Sequence, residues 1–477
     1  MLLSKSRKFK LARTGFIPCR ALARKVMATP PTVTVTTTLD ASLTRGHPAA
    51  HDLSGSASVT SPGLGGAAFS FGRAALPIIG GSTYPSRTYV RMTSLNLGAS
   101  TGANGHSVRV VHRGTRIAFV FVGNGQKVVL KVDDEYVSLT PYTVPTGGAV
   151  QYVDVLFASA AARTIEVIQS TADRFGGAWI EATGGLSPAS IRGPRCIVAG
   201  DSYSEGTGAD GGTTTNQWQV MSDCLGWDDV WSAGLGGTGY LNNAGTKLTM
   251  RDQIAQNVVP YAPGVVVLSA GRNDTASTYA DILAEVLYCI DLVRAQLPGA
   301  LLILDQPGGY ATPTKMTASF WTAHRAVKAA AALRGVPLIG VIEMALPAGT
   351  TPHQFTLNAA ASASATSLTV NGATPTTGAH IEAVYESGYD QIRIRTKTMT
   401  GSNTVNLDGT LLTAQPTGTV FTQVGDCMFS GTGYVGATTG FGSSDLFTFT
   451  DGAHMAQAGH EMAGYLKAEQ IIALLAA

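Results

Sequence analysis

Val198-Ala199-Gly200-Asp201-Ser202-Tyr203-Ser204 is the stretch on which the fold turns. A short apolar run, Cys196–Ala199, stops at a glycine, an acid and a hydroxyl. Such a run, bounded by turn residues and lacking alternation, reads as a strand buried on both faces. The pattern recurs downstream. Val230–Ser232 leads into Gly234-Leu235-Gly236-Gly237-Thr238-Gly239, and Val265–Ser269 leads into Gly271-Arg272-Asn273-Asp274. Ala300–Leu304 and Val336–Ile342 are two more buried-strand candidates. Between them lie helical patterns. Ile282, Leu283, Val286, Leu287 and Ile290 share one face of a helix predicted over 279–296, and further helices are predicted over 314–333 and 456–475. Strands alternating with helices imply a parallel sheet covered on both faces, with ligands bound beyond the carboxyl ends of its strands.

The flanking segments follow another grammar. From 71 to 190 come short β-type runs such as Ser107–Val111, Arg116–Val122, Lys127–Val132, Gln151–Phe157 and Thr164–Ile168, which predict a β-sandwich. Residues 354–426 carry five or so runs of the same kind without a helix, and read as a small β-barrel inserted into an α/β domain of 191–353 plus 427–477. Residues 1–70 read as a basic tail followed by a Thr/Ser/Pro/Gly/Ala-rich linker. Eight basic residues and no acidic one fall within 1–31, leaving 25 basic against 31 acidic residues in the body. That acidity argues against nucleic acid as a partner. The head lacks an unbroken apolar stretch, so a disordered tail or a start at Met27 is preferred to a signal or transit peptide. Only 13% of residues are charged, and 44% are hydrophobic, which excludes a charge-rich disordered chain. No apolar run is long enough for a membrane-spanning helix. The five cysteines (Cys19, Cys196, Cys224, Cys289 and Cys427) show no metal-ligand or redox spacing and read as free thiols.

The chemistry-bearing residues sit at the predicted strand ends. Ser202, behind the small Gly200, is placed as a nucleophile. A serine hydroxyl needs a base, a group to orient that base, and donors for an oxyanion. Asp451-Gly452-Ala453-His454 precedes the last helix, and an Asp three residues before a His can fold back onto one imidazole nitrogen. His454 is therefore the candidate base and Asp451 its orienting acid. The Ser202 and Gly237 N–H groups and the Asn273 side-chain amide are the candidate oxyanion donors. Asp274 is expected to support its loop. Tyr203, Tyr240, Trp218, Trp227 and Trp231 cluster around the first two motifs. Core packing is the simpler reading for them; Tyr203, Tyr240 and Asp201 are the candidates for substrate contact. His454 and His460 lack the spacing of a metal pair on a helix, and the glycine-rich 234–239 lacks the Lys-Ser/Thr of a phosphate loop. No metal or cofactor is called for.

Taken in order, Gly-Asp-Ser-Tyr-Ser, Gly-Gly-Thr-Gly, Gly-Arg-Asn-Asp and Asp-Gly-Ala-His resemble the SGNH (GDSL-like) hydrolase superfamily. The resemblance maps its four named residues onto Ser202, Gly237, Asn273 and His454, and implies a flavodoxin-like three-layer α/β fold and a serine ester hydrolase. Two departures stand out: the insert separates the last motif from the core, and Ser232-Ala233 stand where many members carry an Asn. The stretches 128–139, 152–169 and 175–185 resemble the jelly-roll domain that precedes the hydrolase in some carbohydrate esterases. This implies O-acetyl groups of a polysaccharide as substrate. The stretches 364–384 and 411–424 resemble a small β module of bacteriophage tail and secreted proteins. Two alternatives remain open: a glycan-binding or structural, tail-like protein with a degenerate hydrolase domain, and a lipase or thioesterase of the same superfamily. An extracellular, virion-surface or cell-surface location and a homo-oligomer accord with these resemblances.

Overall fold

The computed structural model describes residues 24–48, 69–72, 77–84, 87–92, 106–123, 125–170, 174–308, 318–341, 351–352, 354–371, 383–387, 391–395, 404–407, 411, 413–426, 433–438 and 444–476. Cys19 and Cys427 lie outside them; Cys196, Cys224 and Cys289 are buried free thiols.

Twelve strands form the first sheet: β1 (Thr32–Thr36), β2 (Arg45–Pro48), β3 (Ser70–Gly72), β4 (Pro77–Tyr84), β5 (Arg87–Met92), β6 (His106–Val122), β7 (Lys127–Val132), β8 (Glu135–Tyr136), β9 (Tyr142–Thr143), β10 (Val150–Gln169), β11 (Arg174–Ile180) and β12 (Gly185–Pro188). It is one continuous sheet. The runs expected as separate strands on either side of 112–115 and of 158–163 are joined into β6 and β10, of 17 and 20 residues. A register shift between Leu156 and Ala161 divides the β10–β6 ladder. The first half of β10 pairs with β1, and the second with β7. Strands this long serve two ladders because a bulge and the strand twist let them bend. Their inner faces enclose a core that includes Val110, Ile117, Phe119, Phe121, Val155, Ile165 and Phe175. The expectation of a tail and linker is corrected for 32–48, while residues 1–23 and 49–68 of that stretch lie outside the described residues. Thr32–Thr36 pairs with β10 and Arg45–Pro48 with β11, because the Thr-Val alternation of 32–36 suits an extended strand.

The second sheet holds β13 (Cys196–Gly200), β14 (Val230–Gly234), β15 (Val265–Ser269), β16 (Leu301–Asp305) and β17 (Leu338–Ile339), parallel throughout, in the order β14-β13-β15-β16-β17. The strand expected over 336–342 is thus shorter. Helices α1 (Ser202–Glu205), α2 (Gln217–Leu225), α3 (Met250–Gln253), α4 (Tyr279–Gln296), α5 (Ala318–Arg334), α6 (Ser444–Phe447) and α7 (Gln457–Ala476) follow the same alternation. Successive strand side chains point to opposite faces. Ile197, Ala199, Val266 and Leu268 therefore pack on α4 and α5, while Cys196, Val198, Val265 and Val267 pack with Trp218, Val220 and Ile471 of α2 and α7. The chain reverses direction across the sheet at β13, which has β14 on one side and β15 on the other. That crevice is where ligands of such sheets sit.

Between β17 and α6, strands β18 (Gln354–Leu357), β19 (Ser367–Asn371), β20 (Ala383–Glu386), β21 (Gln391–Arg395), β22 (Thr404–Leu407) and β23 (Val420–Asp426) pair around a closed ring. Phe355 stacks on Phe421 inside it. An ion pair between Lys328 of α5 and Glu386 of β20 links the ring to the α/β layers.

A buried charge network joins the first sheet to the second. Asp223 on α2 accepts hydrogen bonds from the Tyr136 hydroxyl and the Lys131 ammonium. Arg109 on β6 bonds Glu166 at 3.1 Å and Asp228 at 3.0 Å, and Arg192 holds Asp228 and Asp134. Arg192 and Asp134 lie at the exposed rim, whereas charges as deeply buried as those of Arg109, Glu166, Lys131, Asp223 and Asp228 are tolerated only when paired. Burial also explains the raised pKa of the Tyr136 hydroxyl, pushed up to about 12, with the Asp223 charge adding to it.

Among the described residues, no helix is long and apolar enough to cross a membrane, and no group of three or more His, Cys, Asp or Glu is placed to hold a metal ion.

Candidate active site

Ser202 is the first residue of α1, directly past the end of β13. The turn is tight. A side chain at Gly200 would come within 2.4 Å of Ser204 Oγ and 2.5 Å of the Ser269 carbonyl, so only glycine lets α1 start here. Asp201 caps the helix by accepting the Tyr203 N–H at 3.0 Å. From below, Asn216, the N-cap of α2, donates to the Ser204 carbonyl and to Ser232 Oγ while accepting the Trp218 and Gln219 N–H groups. Gln217 donates to the Tyr203 carbonyl. The helix that begins at Ser202 is thus nailed to the N-terminus of α2.

Ser202 Oγ lies 2.8 Å from His454 Nε2, across 252 residues of sequence. His454 Nδ1 lies 2.5 Å from Asp451 Oδ2. The other oxygen of Asp451 accepts the Ala453 and His454 N–H groups at 2.8 and 2.9 Å. Gly452 takes φ +69°, and the loop closes through Gly452 N–H to the Phe449 carbonyl and Phe449 N–H to the His454 carbonyl. Burial raises the Asp451 pKa, but the hydrogen bonds from the His454 ring and from two backbone N–H groups outweigh it and hold the carboxyl below its ordinary value. An ionised Asp451 keeps the imidazole proton on Nδ1, so Nε2 is free to accept from the serine hydroxyl.

On the other flank, Gly237 sits at φ +82° in a turn closed by the Thr238 N–H and hydroxyl on the Leu235 carbonyl. The preceding Gly236 runs beside Ser202: a side chain there would lie 3.6 Å from Ser202 Cβ. Asn273 Nδ2 donates to the Thr238 carbonyl at 2.8 Å, which places this amide against the same turn with a second N–H to spare. Asn242 Nδ2 donates to both the Gly237 and Asn273 carbonyls, at 3.0 Å each. Asp274 accepts the N–H groups of Tyr240, Leu241 and Asn242 at 2.8–2.9 Å, in the loop-supporting part expected for it. Lys247 Nζ holds the Gly236 carbonyl at 2.6 Å. Sequence reasoning missed Asn216, Asn242 and Lys247. An Asn before the apolar helix was a legible N-cap signal for Asn216; Asn242 and Lys247 carry no local signal.

The three substrate-contact candidates are corrected by burial. Tyr203 is 3%, Tyr240 0% and Asp201 1% exposed. None of them presents a face to a sugar. Tyr240 packs in the core on the α4/α5 side. Asp201 is a buried cap, and burial, with a contribution from the Asp305 and Asp274 charges, pushes its pKa up to about 7 against the Tyr203 N–H bond. His460 lies in the core below, its Nδ1 accepting the Gln217 N–H and its Nε2 facing the Thr207 carbonyl. Burial lowers its pKa to about 4, so it stays neutral.

Residues 198–362 match the model of the GDSL-like Lipase/Acylhydrolase family, a span that holds Ser202, Gly237 and Asn273 and stops short of His454. The α/β region therefore resembles the SGNH hydrolases. No curated protein matches the chain significantly. Among solved structures, a family two carbohydrate esterase from Clostridium thermocellum in complex with cellohexaose aligns at 16% identity and TM-score 0.40, covering 52% of this chain and 87% of that one. A family two carbohydrate esterase from Cellvibrio japonicus aligns at 11% identity and TM-score 0.43, covering 67% and 92%. A salicylyl-acyltransferase from a tetracycline biosynthetic pathway aligns at 14% identity and TM-score 0.41, covering 60% and 84%.

Proposed function

We propose that the protein is a serine esterase of the SGNH type that removes O-acetyl groups from a polysaccharide. One observation carries the esterase reading: the unbroken chain of contacts from Ser202 Oγ through His454 to Asp451. In the proposed reaction Ser202 attacks the ester carbonyl as His454 Nε2 takes its proton. The resulting oxyanion is received by the Ser202 and Gly237 N–H groups and Asn273 Nδ2. His454 then protonates the departing sugar oxygen, leaving an acetyl ester on Ser202. Water, deprotonated by His454, releases acetate and restores the hydroxyl. Each oxyanion donor of this kind is worth about 3–4 kcal/mol in the transition state. No cofactor takes part in this sequence.

The polysaccharide reading rests on the β-rich region before the hydrolase, whose sequence resembles that of carbohydrate esterases. We divide the chain accordingly: a basic head, a β region of 71–190 joined by strands from 32–48, the hydrolase of 191–353 plus 427–477, and the inserted ring of 354–426. A substrate of this class is met outside the cell or on a virion or cell surface, where we place the protein. The test is acetate release from a panel of acetylated glycans, beside p-nitrophenyl acetate and a long-chain ester. Release from a glycan with poor long-chain activity supports the reading. Preference for the long chain points to a lipase, and binding of glycan without any ester release points to a degenerate domain.

A further inference from the structure

Tyr203 follows the nucleophile directly, and it is buried although its hydroxyl reaches a loop 250 residues away. Its O–H donates to the Ala453 carbonyl at 2.5 Å. That carbonyl belongs to the same peptide plane as the His454 N–H, which Asp451 Oδ1 accepts at 2.9 Å. The peptide entering His454 is therefore held at both ends, by Asp451 on one side and Tyr203 on the other. The ring of Tyr203 also lies against the imidazole, with centroids 5.1 Å apart and planes inclined at 39°. Its other surroundings are rigid. A side chain at Gly308 would come within 2.4–2.6 Å of the phenol ring, so the backbone there is packed onto it. The Tyr203 backbone is fixed by Asp201 at its N–H and by Gln217 at its carbonyl. Burial raises the phenol's pKa, which keeps the proton available to donate.

We propose that Tyr203 is a positioning residue for the base: it couples the helix that presents Ser202 to the loop that presents His454, and so sets the Oγ–Nε2 approach. This rests on the triad reading above. The nucleophile and the strut that places its base are adjacent residues of a four-residue helix, so a shift of α1 carries both together. A productive contact needs alignment within a few tenths of an ångström, and a loop free to rotate about Gly452 would lose it for part of the time.

The experiment compares wild type with Tyr203→Phe, which keeps the ring and removes only the donor. Loss of a buried hydrogen bond of ordinary strength predicts a fall in kcat on the order of tenfold. KM for p-nitrophenyl acetate stays within about twofold, because Tyr203 touches no substrate. Tyr203→4-aminophenylalanine, which keeps an N–H donor on the ring, retains most of the rate that Tyr203→Phe loses. A second readout does not depend on turnover: the proton NMR signal of the His454 Nδ1–H in the bond to Asp451, assigned by its loss in His454→Gln. It should broaden or move in Tyr203→Phe. Unchanged kcat together with an unchanged signal overturns the proposal. So does a rise in KM at constant kcat, which would make Tyr203 a binding residue. A Tyr203→Phe protein that fails to fold also contradicts it, since the hydroxyl is assigned a part in placing the base and none in holding the fold together. If wild type hydrolyses no ester, the esterase reading fails, and the NMR signal still decides the part played by Tyr203.

Discussion

Replacing Asp451 by Asn separates the two things this carboxylate does. Oδ1 accepts the Ala453 and His454 N–H groups, and an amide oxygen can take over that part with the loop intact. Oδ2 faces His454 Nδ1 at 2.5 Å, and there an amide presents N–H instead of a lone pair. The imidazole must then accept at Nδ1 and carry its proton on Nε2, against Ser202 Oγ. A base in that tautomer cannot take the serine proton. The same exchange in a Ser-His-Asp triad costs about 10⁴ in kcat, equivalent to about 5 kcal/mol of transition-state stabilisation. The effect on folding should be small, below about 1 kcal/mol, because the side chain is partly solvated and keeps its two backbone bonds. Steady-state hydrolysis of p-nitrophenyl acetate at pH ~8, beside a thermal melt, measures both. A variant within about tenfold of wild type would remove Asp451 from the mechanism. A variant that loses activity only in step with a large drop in Tm would make it a structural residue.

Two further predictions concern groups beneath the site, and a third the junction of the two sheets. His460 has a folded pKa of about 4 against an ordinary 6.5, so folding disfavours its proton. Its contribution is complete above pH 6.5 and lost as pH falls toward 4, amounting to roughly 3 kcal/mol; His460→Asn should flatten that part of a urea-denaturation profile. Asp201 acts with the opposite sign. Its folded pKa of about 7 lies above the ordinary 3.8, so stability is full below 3.8 and declines as pH rises toward 7. Asp201→Asn should remove a decline of roughly 4 kcal/mol between those limits, and an unchanged slope would show that the carboxyl is not held neutral. At the junction of the two sheets, Lys131→Met leaves Asp223 and Glu166 without their shared ammonium. The expected loss is about 3 kcal/mol or more in urea denaturation, with Lys131→Met/Asp223→Leu recovering part of it; a neutral single variant would refute the pairing.

The parallel sheet was readable because its strands are buried on both faces and carry uninterrupted apolar runs, each closed by turn residues. Those turns placed Ser202, Gly237 and Asn273 at one edge, and the spacing of Asp451 and His454 made their contact a local matter. Elsewhere local information failed for identifiable reasons. The small, exposed residues 158–162 carry no alternation, so β10 reads as two strands although its backbone runs on. The Thr-Val alternation of β1 was outweighed by the Ser, Thr, Pro and Gly around it. Tyr203 and Tyr240 are aromatic residues near a site, and nothing in a sequence says whether such a ring faces the crevice or the core. Tyr203 and Asn242 take part in the site through partners that the tertiary fold brings near, Ala453 in one case and Asn273 in the other.

The triad mechanism is tested most directly by looking for the acetyl group on the enzyme itself. Wild type is mixed with excess p-nitrophenyl acetate, quenched in acid within the first turnovers, and digested for mass spectrometry. The acyl-enzyme mechanism predicts one acetyl group on the peptide containing Ser202, and none in Ser202→Ala, whose turnover is lost. Steady hydrolysis with no acetyl on Ser202, or hydrolysis that survives Ser202→Ala, would contradict it.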